Sequence, residues 1–358
     1  MRNILLLIGA VVIAALAYLF FWPVPIEPVA WTPPPAPALA GPYAVNDALT
    51  KVERLGVDAG VGPEDVALDA QGQIYVGYKD GRLVRFDVNG GNPQVIVNTG
   101  GRPLGLDFDA QGNLIVADAV RGLLSIAPDG QLKVLATEAE GVPIKFADDV
   151  EVAGDGMIYF SDASSKFGYH PHVGVDDILE HGGHGRLLKY DPASGNTSVL
   201  LAGMQFANGV ALAADESFVL VNQTGSYNVL RYWLKGEPAG SFDVFFANLP
   251  GLPDGITGDE RGNFWLALVT PRNPAIDVAA DKPWLRKLMM RLPKVLQPKP
   301  VHHAFVLALD SEGKVIHNLQ DASHDAFAPI TSAEPYGEYL YLGSLTAPAF
   351  ARLPIPAR

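Results

Sequence analysis

The chain has 358 residues, of which 48% are hydrophobic and 18% charged, so it is long enough for one large or two ordinary globular domains with sizeable cores. Its formal net charge of −13 argues against a general nucleic-acid-binding protein, which would carry a basic face. It contains no cysteine, which excludes disulfides, a thiol nucleophile and a thiolate zinc site.

Residues 1–22 predict a transmembrane anchor. The run from Ile4 to Trp22 carries no charge and is about 28 Å long as a helix, which just spans a bilayer. Arg2 and the α-amino group are the positive charges before it, so we expect a single-pass protein with a cytoplasmic N-terminus and the rest of the chain on the periplasmic, extracytoplasmic or lumenal side. The alternative is a signal peptide cleaved near Ala17, but the apolar run continues past that residue and favours an anchor.

Residues 23–42 predict a linker. They hold eight of the 29 prolines and almost no charge, which favours a semi-rigid polyproline spacer rather than a helix or a central strand. We therefore expect the folded domain to cover residues 43–358.

A repeated pattern occupies that domain. Each copy has a polar residue, a short apolar stretch, a turn rich in Asp and Gly, and an apolar strand. The copies begin at Glu64, Leu104, Asp148, Asn208, Asp254 and Ile330. Most are about 40–46 residues apart, and insertions near 166–185 and 270–301 lengthen two steps. Single Asp-x-x-Gly hairpins occur in any antiparallel protein, but six in register, each followed by a second hairpin, predict an all-β fold, a six-bladed β-propeller.

The first insertion is rich in histidine. His170, His172, His181 and His184 lie near two aspartates, a spacing compatible with a zinc site. The glycines around them favour a solvent-exposed lid instead.

The second insertion contains an amphipathic helix ended by Pro293. Its predicted membrane-facing side chains are apolar on one face and basic on the other. They are Trp284, Leu288, Leu292, Arg286, Lys287 and Arg291. This pattern is typical of an interfacial helix that contacts membrane lipid. The alternative is a helix that packs its apolar face on the propeller rim and leaves its charges solvated.

The first residues of the six copies, taken together, predict a metal-binding site. Equivalent residues of the innermost strands meet around the axis of a propeller, and four of the six are oxygen donors: Glu64, Asp148, Asn208 and Asp254. Three carboxylates are costly to bury without a cation, and an all-oxygen set spread over four blades suits Ca²⁺ better than Mg²⁺. The alternative is that these side chains hydrogen-bond backbone or water at the channel floor.

Seven segments carry a family resemblance. They are Gly101-Arg-Pro-Leu-Gly-Leu106, Ala117-Asp-Ala-Val-Arg-Gly-Leu-Leu124, Phe160-Ser-Asp-Ala-Ser-Ser-Lys-Phe167, Phe206-Ala-Asn-Gly-Val-Ala-Leu212, Val229-Leu-Arg-Tyr-Trp-Leu-Lys-Gly236, Leu249-Pro-Gly-Leu-Pro-Asp-Gly255 and Tyr339-Leu-Tyr-Leu-Gly-Ser-Leu345. The chain resembles the calcium-dependent phosphotriesterase superfamily of six-bladed propellers, which includes gluconolactonase and paraoxonase. Within it, the likeness is to the strictosidine synthase-like branch that contains adipocyte plasma membrane-associated protein.

The resemblance implies roles for these residues. Glu64, Asp148, Asn208 and Asp254 match calcium ligands, and Asp254 matches the carboxylate that acts as base or nucleophile. Asparagine is usual in the family where Asp148 stands. Residues 330–332 replace the region that supplies the glutamate of the true strictosidine synthases. The implied function is therefore a hydrolase of lactones, aryl esters or related esters. The alternatives are a non-catalytic binding or adhesion propeller and a strictosidine synthase-type condensing enzyme.

Further residues are assigned around this ring. Asp65 and Asp149 are expected to orient the metal ligands or, alternatively, to cap turns. Leu104, which stands where paraoxonases have a histidine, is expected to line the pocket together with Thr331 and His324. No feature of the sequence indicates an oligomeric state.

Overall fold

The computed structural model describes residues 1–170 and 173–357. It contains six four-stranded antiparallel sheets and thereby confirms the six-bladed propeller. Blade one contains β2 (Val66–Leu68), β3 (Ile74–Gly77), β4 (Arg82–Phe86) and β5 (Gln94–Asn98). Blade two contains β6 (Pro103–Phe108), β7 (Leu114–Asp118), β8 (Gly122–Ile126) and β9 (Leu132–Ala136). Blade three contains β12 (Ala147–Val152), β13 (Ile158–Asp162), β14 (Gly185–Asp191) and β15 (Asn196–Met204). Blade four contains β16 (Ala207–Leu212), β17 (Phe218–Gln223), β18 (Asn228–Trp233) and β19 (Phe242–Phe246).

Blade five contains β20 (Gly251–Gly258), β21 (Phe264–Pro271), β22 (Ala304–Leu309) and β23 (Val315–Asp321). Blade six contains β24 (Ala333–Tyr336), β25 (Tyr339–Leu342), β26 (Phe350–Pro354) and, outermost, β1 (Glu53–Leu55). A short hairpin joins β10 (Glu138–Ala139) to β11 (Val142–Pro143). The helices are α1 (Arg2–Phe21), α2 (Val173–Glu180), α3 (Pro274–Ala279) and α4 (Pro283–Arg291), with 3₁₀ turns at Gly41–Tyr43, Thr224–Ser226 and Lys294–Leu296.

The ring is closed by the pairing of β1 with β26. Leu55 near the start of the domain lies opposite Phe350 near its end. Phe350 also packs edge-on against Phe86 of blade one, with ring centroids 5.2 Å apart. The first and last parts of the domain therefore share one sheet, and the ring has no open seam between blades six and one.

The repeated aspartate in the sequence pattern makes the hairpin turn between the first two strands of a blade. Asp69 Oδ1 accepts hydrogen bonds from the amides of Gln71 and Gln73, each at 2.9 Å, and Gly72 adopts a φ of +74°. Asp109 makes the same two bonds in blade two. The side chain thus replaces a backbone turn acceptor, and glycine supplies the left-handed residue at no steric cost.

Helix α1 extends away from the propeller. None of its 20 residues is buried by the rest of the chain, and it is long and apolar enough to cross a membrane. This is the arrangement expected of the predicted anchor.

The proline-rich segment is not a free spacer, and this part of the sequence prediction is wrong. Ile26 is completely buried in a cluster with Leu104, Phe146 and Leu179. The amide of Val29 donates to the carbonyl of Glu180 at 2.8 Å. Proline prevents helix and sheet here, but it does not prevent an extended chain from packing. The segment 23–35, called the strap below, belongs to the folded unit, which therefore begins well before residue 43.

Further contacts hold the strap against the insertions of blades three and five. Arg272 donates from Nη2 to the carbonyl of Pro34 at 2.8 Å, and Asn248 donates from Nδ2 to that of Pro35 at 2.9 Å. Trp31 stacks on His181 with ring centroids 4.0 Å apart. The strap consequently fixes the two insertions to each other.

Helix α4 forms where the amphipathic pattern predicts it, but its arginines are not solvated. Arg286 is 1% exposed and donates to the carbonyls of Leu179 and Ala280, both at 2.8 Å, and to that of Val29. The predicted membrane-facing position of Arg286 is wrong, because a guanidinium satisfies several converging carbonyls that no short side chain reaches.

Arg291 is also buried, at 8% exposed, so its predicted exposure on the membrane-facing side is likewise wrong. It donates from Nε to the carbonyl of Trp22 at 2.6 Å and from Nη1 to that of Leu19 at 3.0 Å. Of the other predicted residues, Trp284 is 58% exposed, while Lys287, Leu288 and Leu292 are half-buried. Helix α4 is therefore bonded directly to the end of α1.

Candidate functional site

Irregularities in the inner strands aim the repeated side chains at the axis. The register of blades two to five shifts between Pro103 and Leu106, Ala147 and Val150, Ala207 and Val210, and Pro253 and Ile256. Each interval contains the first residue of a sequence repeat. Such a bulge bends the strand and re-aims its side chains, so the fold itself turns this position inward.

In blades four and five, a glycine follows the first residue of the repeat at a close approach between neighbouring inner strands. A Cβ on Gly209 would lie 2.4 Å from the carbonyl oxygen of Asp254, and one on Gly255 would lie 2.6 Å from that of Thr331. Both contacts are with backbone and leave no room for any side chain. These glycines let adjacent blades bring their inner strands together.

The ring residues line one cavity of about 350 Å³ at this end of the axis. Glu64, Asp148, Asn208 and Asp254 form its polar floor, with Leu104 beside them. Phe146, Tyr169 and Phe206 contribute an aromatic side; Phe146 lies 5.6 Å from Phe206 and 6.0 Å from Tyr169, measured between ring centroids. The structure thus brings together the predicted ligand set and places apolar surface next to it.

Burial and mutual repulsion dominate the electrostatics of the floor. Burial raises the pKa of Glu64 well above its usual range, and the neighbouring Asp254 and Asp148 raise it further. Burial and Asp254 likewise raise the pKa of Asp148, against a lowering effect from Arg102. Burial raises the pKa of Asp254 to about 7, partly offset by a hydrogen bond from Asn208. Three such carboxyls are stable together only when protonated or when a cation neutralises them.

The donor set fits a hard cation. Asp148 Oδ2 is buried and has no hydrogen-bond partner in the described part of the chain. Asn208 donates from Nδ2 to Asp254 Oδ1 at 2.5 Å, which leaves Asp254 Oδ2 outside that bond. Among the described residues, no three His, Asp or Glu side chains are already close enough to hold a metal ion. A cation would therefore have to draw these side chains inward, which Ca²⁺ tolerates because its coordination is flexible.

Asp254 is held in place by its neighbours. Asn222 donates from Nδ2 to the backbone carbonyl of Asp254, and Thr224 donates from Oγ1 to that of Pro253 at 2.7 Å. Both partners come from blade four or the turn after it, whereas Asp254 belongs to blade five. The backbone that carries this carboxyl is therefore anchored across a blade boundary.

Sequence reasoning missed Arg102. Its side chain is 1% exposed, lines the cavity with Glu64 and Asp148, and donates from Nη1 to the carbonyl of Gly62 at 2.8 Å. The one sequence signal was a charged residue in an otherwise apolar segment, within Gly101-Arg-Pro-Leu-Gly-Leu106. This guanidinium supplies a positive charge beside Glu64 and Asp148.

Asp65 and Asp149 face a different cavity, of about 140 Å³, further along the axis. Asp65 Oδ2 accepts from the amide of Leu106 at 2.9 Å, and Asp149 Oδ2 accepts from that of Val210 at 2.7 Å. Each carboxylate thus joins its own inner strand to that of the next blade. The predicted alternative to a role in orienting metal ligands is that these side chains bond to backbone and cap turns. The two carboxylates do bond to backbone, but they link neighbouring blades instead of capping turns.

Two predicted pocket residues lie elsewhere, and those predictions are wrong. Thr331 is completely buried and donates from Oγ1 to the backbone carbonyl of Glu64 at 2.6 Å, so it supports the floor from behind. The side chain of His324 is fully exposed and pairs with Asp325 at 3.1 Å. His324 lies on the exposed loop between β23 and β24, so its position shortly before an inner strand in sequence does not bring it to the axis.

The part of the histidine-rich insertion that the structure describes packs against the rest of the protein and does not form the expected solvent-exposed lid. Asp177 and Glu180 of α2 are buried, and Glu180 Oε1 lies 2.6 Å from His184 Nε2 and 2.7 Å from Lys166 Nζ. His181 stacks on the strap, and His170 lies 3.2 Å from Asp176 and lines the cavity. The predicted His172 lies outside the described residues.

Two family models match the chain. The model described as "Strictosidine synthase" matches residues 148–237, and that described as "Strictosidine synthase-like, N-terminal" matches residues 41–86. Protein STRICTOSIDINE SYNTHASE-LIKE 10 of Arabidopsis thaliana is 36% identical, over 85% of this chain and 88% of that protein. Adipocyte plasma membrane-associated protein of Salmo salar is 32% identical, over 98% of this chain and 90% of that protein.

Solved structures share the propeller. A gluconolactonase from Xanthomonas campestris superposes with a TM-score of 0.61 at 20% identity, over 93% of this chain and 98% of that one. The calcium-binding protein regucalcin from Agrobacterium tumefaciens gives a TM-score of 0.59 at 14% identity, over 84% and 92%. At these identities the likeness concerns the fold.

Proposed function

This chain belongs to the strictosidine synthase-like family, and on that premise we propose that it is a membrane-anchored, calcium-dependent hydrolase of lactones, aryl esters or related esters. The observation that carries the proposal is the ring of Glu64, Asp148, Asn208 and Asp254 on the floor of an open cavity. An unpartnered buried carboxylate oxygen and an aromatic side support it, because the first calls for a cation and the second suits an aryl or acyl group. Among the family's solved fold relatives are a gluconolactonase and a calcium-binding protein.

The chain's own residues define the chemistry. Glu64, Asp148, Asn208 and Asp254 would hold Ca²⁺, which when bound supplies Lewis acidity toward a carbonyl oxygen. Asp254 Oδ2 accepts a proton from water as that water attacks the carbonyl carbon, and Asp254 then returns this proton to the alkoxide or phenoxide that leaves when the ester C–O bond breaks. Asn208 keeps Asp254 oriented through its bond to Oδ1. Leu104 and the three aromatic side chains reduce the access of bulk water to the reacting group.

Removing calcium should abolish hydrolysis and lower stability together. With calcium at about 100 times its dissociation constant, binding to the folded state alone adds about 2.7 kcal/mol to the free energy of unfolding. The test measures phenyl acetate and γ-butyrolactone hydrolysis and the melting temperature of the full chain in nanodiscs, with calcium and with chelator. Loss of stability without any turnover would favour a binding propeller, and product from tryptamine with a secologanin-like aldehyde would favour a condensing enzyme. Unchanged melting in chelator would contradict the calcium site.

The size of the calcium effect should depend on pH. Burial raises the pKa of Asp254 in the proposed calcium ring to about 7, and it raises to about 7 the pKa of Asp107, which lies outside that ring in the smaller cavity with Asp65 and Asp149. Their contribution to stability is therefore complete below about pH 4 and is lost as the pH rises through 7, because the unfolded state releases these protons earlier. The chelated protein should melt higher at pH 5.5 than at pH 8, and calcium should add more at pH 8.

The proposed orientation has a cytoplasmic N-terminus and the propeller on the periplasmic, extracytoplasmic or lumenal side, with α4 in contact with lipid. The positive charge of Arg2 before the apolar span supports the orientation. The bonds of Arg291 to the carbonyls of Leu19 and Trp22 support the lipid contact, because they hold α4 beside the end of the predicted span. Trp284, Val295 and Leu296 are exposed there, at 58%, 74% and 63%. Exposed apolar side chains next to lysines are typical of an interfacial surface.

A spin label at position 284 should lie in the lipid interface. The chain has no cysteine, so Trp284→Cys carries the single nitroxide in a full-length protein in nanodiscs. Its accessibility to oxygen, relative to a water-soluble nickel complex, should exceed that of Val134→Cys on β9 of blade two, across the ring. Equal ratios at the two positions would mean that α4 faces water.

A further inference from the structure

A second cavity adjoins the proposed catalytic pocket. It measures about 110 Å³ and lies between α2, α3 and α4. Val175, Ile178, Leu252, Thr270 and Pro300 line both cavities, so the two share a wall. The second space, called the side cleft below, therefore lies directly beside the cavity that holds the carboxylate floor.

The surface of the side cleft is hydrocarbon and thioether. Ile178, Leu179, Ile276, Met289 and Met290 provide it. Two methionines give an adaptable wall that accommodates a flexible apolar ligand. The cleft therefore favours an alkyl chain.

Of the four polar side chains that line the cleft, those of Gln297, Asn273 and Thr270 are engaged within the protein, and the fourth, Lys299, is exposed to solvent. Gln297 donates from Nε2 to the carbonyl of Leu292 at 2.9 Å. Asn273 Oδ1 accepts from the amide of Ala275 at 3.0 Å, as the cap of α3. A polar ligand would have to displace these bonds, whereas a hydrocarbon would not.

The location of the side cleft fits the same ligand. Met289 and Met290 belong to α4, whose last residue, Arg291, bonds to the end of α1. An α-helix is about 10 Å across with its side chains, so the cleft lies within about one helix diameter of the proposed lipid surface. A substrate held by its alkyl chain in the bilayer has a short path to it.

We propose that the side cleft binds an unbranched alkyl chain of the substrate while the ester or lactone group lies on the carboxylate floor. This inference rests on the proposed hydrolase function and adds a substrate class to it. A cavity of about 150 Å³ holds benzene, so the smaller side cleft has room for about four carbons. Burial of each methylene is worth about a fourfold gain in kcat/KM.

The test compares p-nitrophenyl acetate, butyrate, hexanoate and octanoate with the calcium-loaded full chain in nanodiscs. The wild type should gain about fourfold per added methylene up to hexanoate and then level off. Ile276→Trp fills the cleft and should abolish this gain while acetate turnover stays within about twofold. Val278→Trp is the matched control, because Val278 lies on the same helix and is 62% exposed; its profile should equal that of the wild type.

A binding measurement separates this proposal from the proposed function. Hexanamide cannot be turned over as an ester, and its titration against wild type, Ile276→Trp and empty nanodiscs reports the cleft without catalysis. Specific binding by the wild type alone, with no ester hydrolysed, would overturn the hydrolase and retain the cleft. A flat chain-length profile, or an Ile276→Trp profile equal to the wild type, would overturn the cleft. If Ile276→Trp loses acetate turnover as well, Met290→Trp replaces it.

Discussion

Replacing Asp254 with asparagine is expected to lower kcat for phenyl acetate by about 10²- to 10⁴-fold, the range contributed by a positioned general base. The substitution preserves an oxygen donor and the size of the side chain but removes the group that accepts the proton. Calcium affinity, followed by titration calorimetry, should fall by a smaller factor. The comparison of kcat at saturating calcium with the calcium dissociation constant separates the two roles of this carboxyl.

Asp148→Asn is the matched control for this experiment. It makes the same chemical change in another member of the ring, at the carboxyl whose Oδ2 has no partner. We expect it to weaken calcium binding while restoring most turnover at high calcium, because Asp148 has no proposed role in proton transfer. If the two variants lose kcat equally at saturating calcium, Asp254 is a ligand only.

The pH profile gives an independent check on Asp254. A base must be deprotonated to act, so the wild-type rate should fall as the pH falls through the pKa of Asp254. Burial raises that pKa to about 7, and a bound cation lowers it because positive charge favours the carboxylate. The acid limb should therefore lie below pH 7 with calcium present and should be absent from Asp254→Asn.

Replacing Ile26 with alanine is expected to cost about 2–5 kcal/mol of unfolding free energy, as for other fully buried aliphatic side chains. Ile26 is 0% exposed and belongs to one hydrophobic cluster with Leu104 and Leu179, so the substitution leaves a cavity in the cluster that joins the strap, the inner ring and α2. Thermal unfolding of the calcium-loaded full chain should occur several degrees lower. Since Leu104 also lines the catalytic cavity, ester turnover should decrease as well.

Leu39→Ala provides the control within the same proline-rich segment. Leu39 is 36% exposed, and an exposed substitution of this kind changes stability by about 0.5 kcal/mol or less. Deletion of residues 1–42 should likewise destabilise the protein more than deletion of residues 1–22. Equal melting temperatures for Ile26→Ala and Leu39→Ala would mean that the strap is detached in solution.

Local sequence patterns were sufficient for the architecture. Hairpin turns at Asp69 and Asp109 depend on residues within four positions of each aspartate, so their signature is visible in the sequence. Six such units in register predict the propeller, and its symmetry alone brings Glu64, Asp148, Asn208 and Asp254 to one cavity. The family resemblance, drawn from seven short segments in or next to the repeated strands, is confirmed by relatives that are 36% and 32% identical to this chain.

Local sequence patterns could not predict contacts between segments that are distant in the chain. Arg286 sits on an amphipathic helix whose sequence favours exposure, yet it is buried by carbonyls from Val29 and Leu179, more than 100 positions away in the chain. Ile26 lies in a proline-rich stretch with no periodicity, and its burial depends on Phe146 and Phe206 of other blades. Neither environment has a signature in the neighbouring residues.

The sequence by itself therefore determined the blades, the ring of oxygen donors and the apolar span, because each follows from a local period or an uninterrupted composition. The tertiary structure decided where the strap, the insertions and the single residues between strands lie. Thr331 and His324 differ in burial although they are seven positions apart, since ring closure buries one behind Glu64 and leaves the other on a loop. Long-range packing chooses among conformations that local preferences leave nearly equal in free energy, which is why those positions required the folded chain.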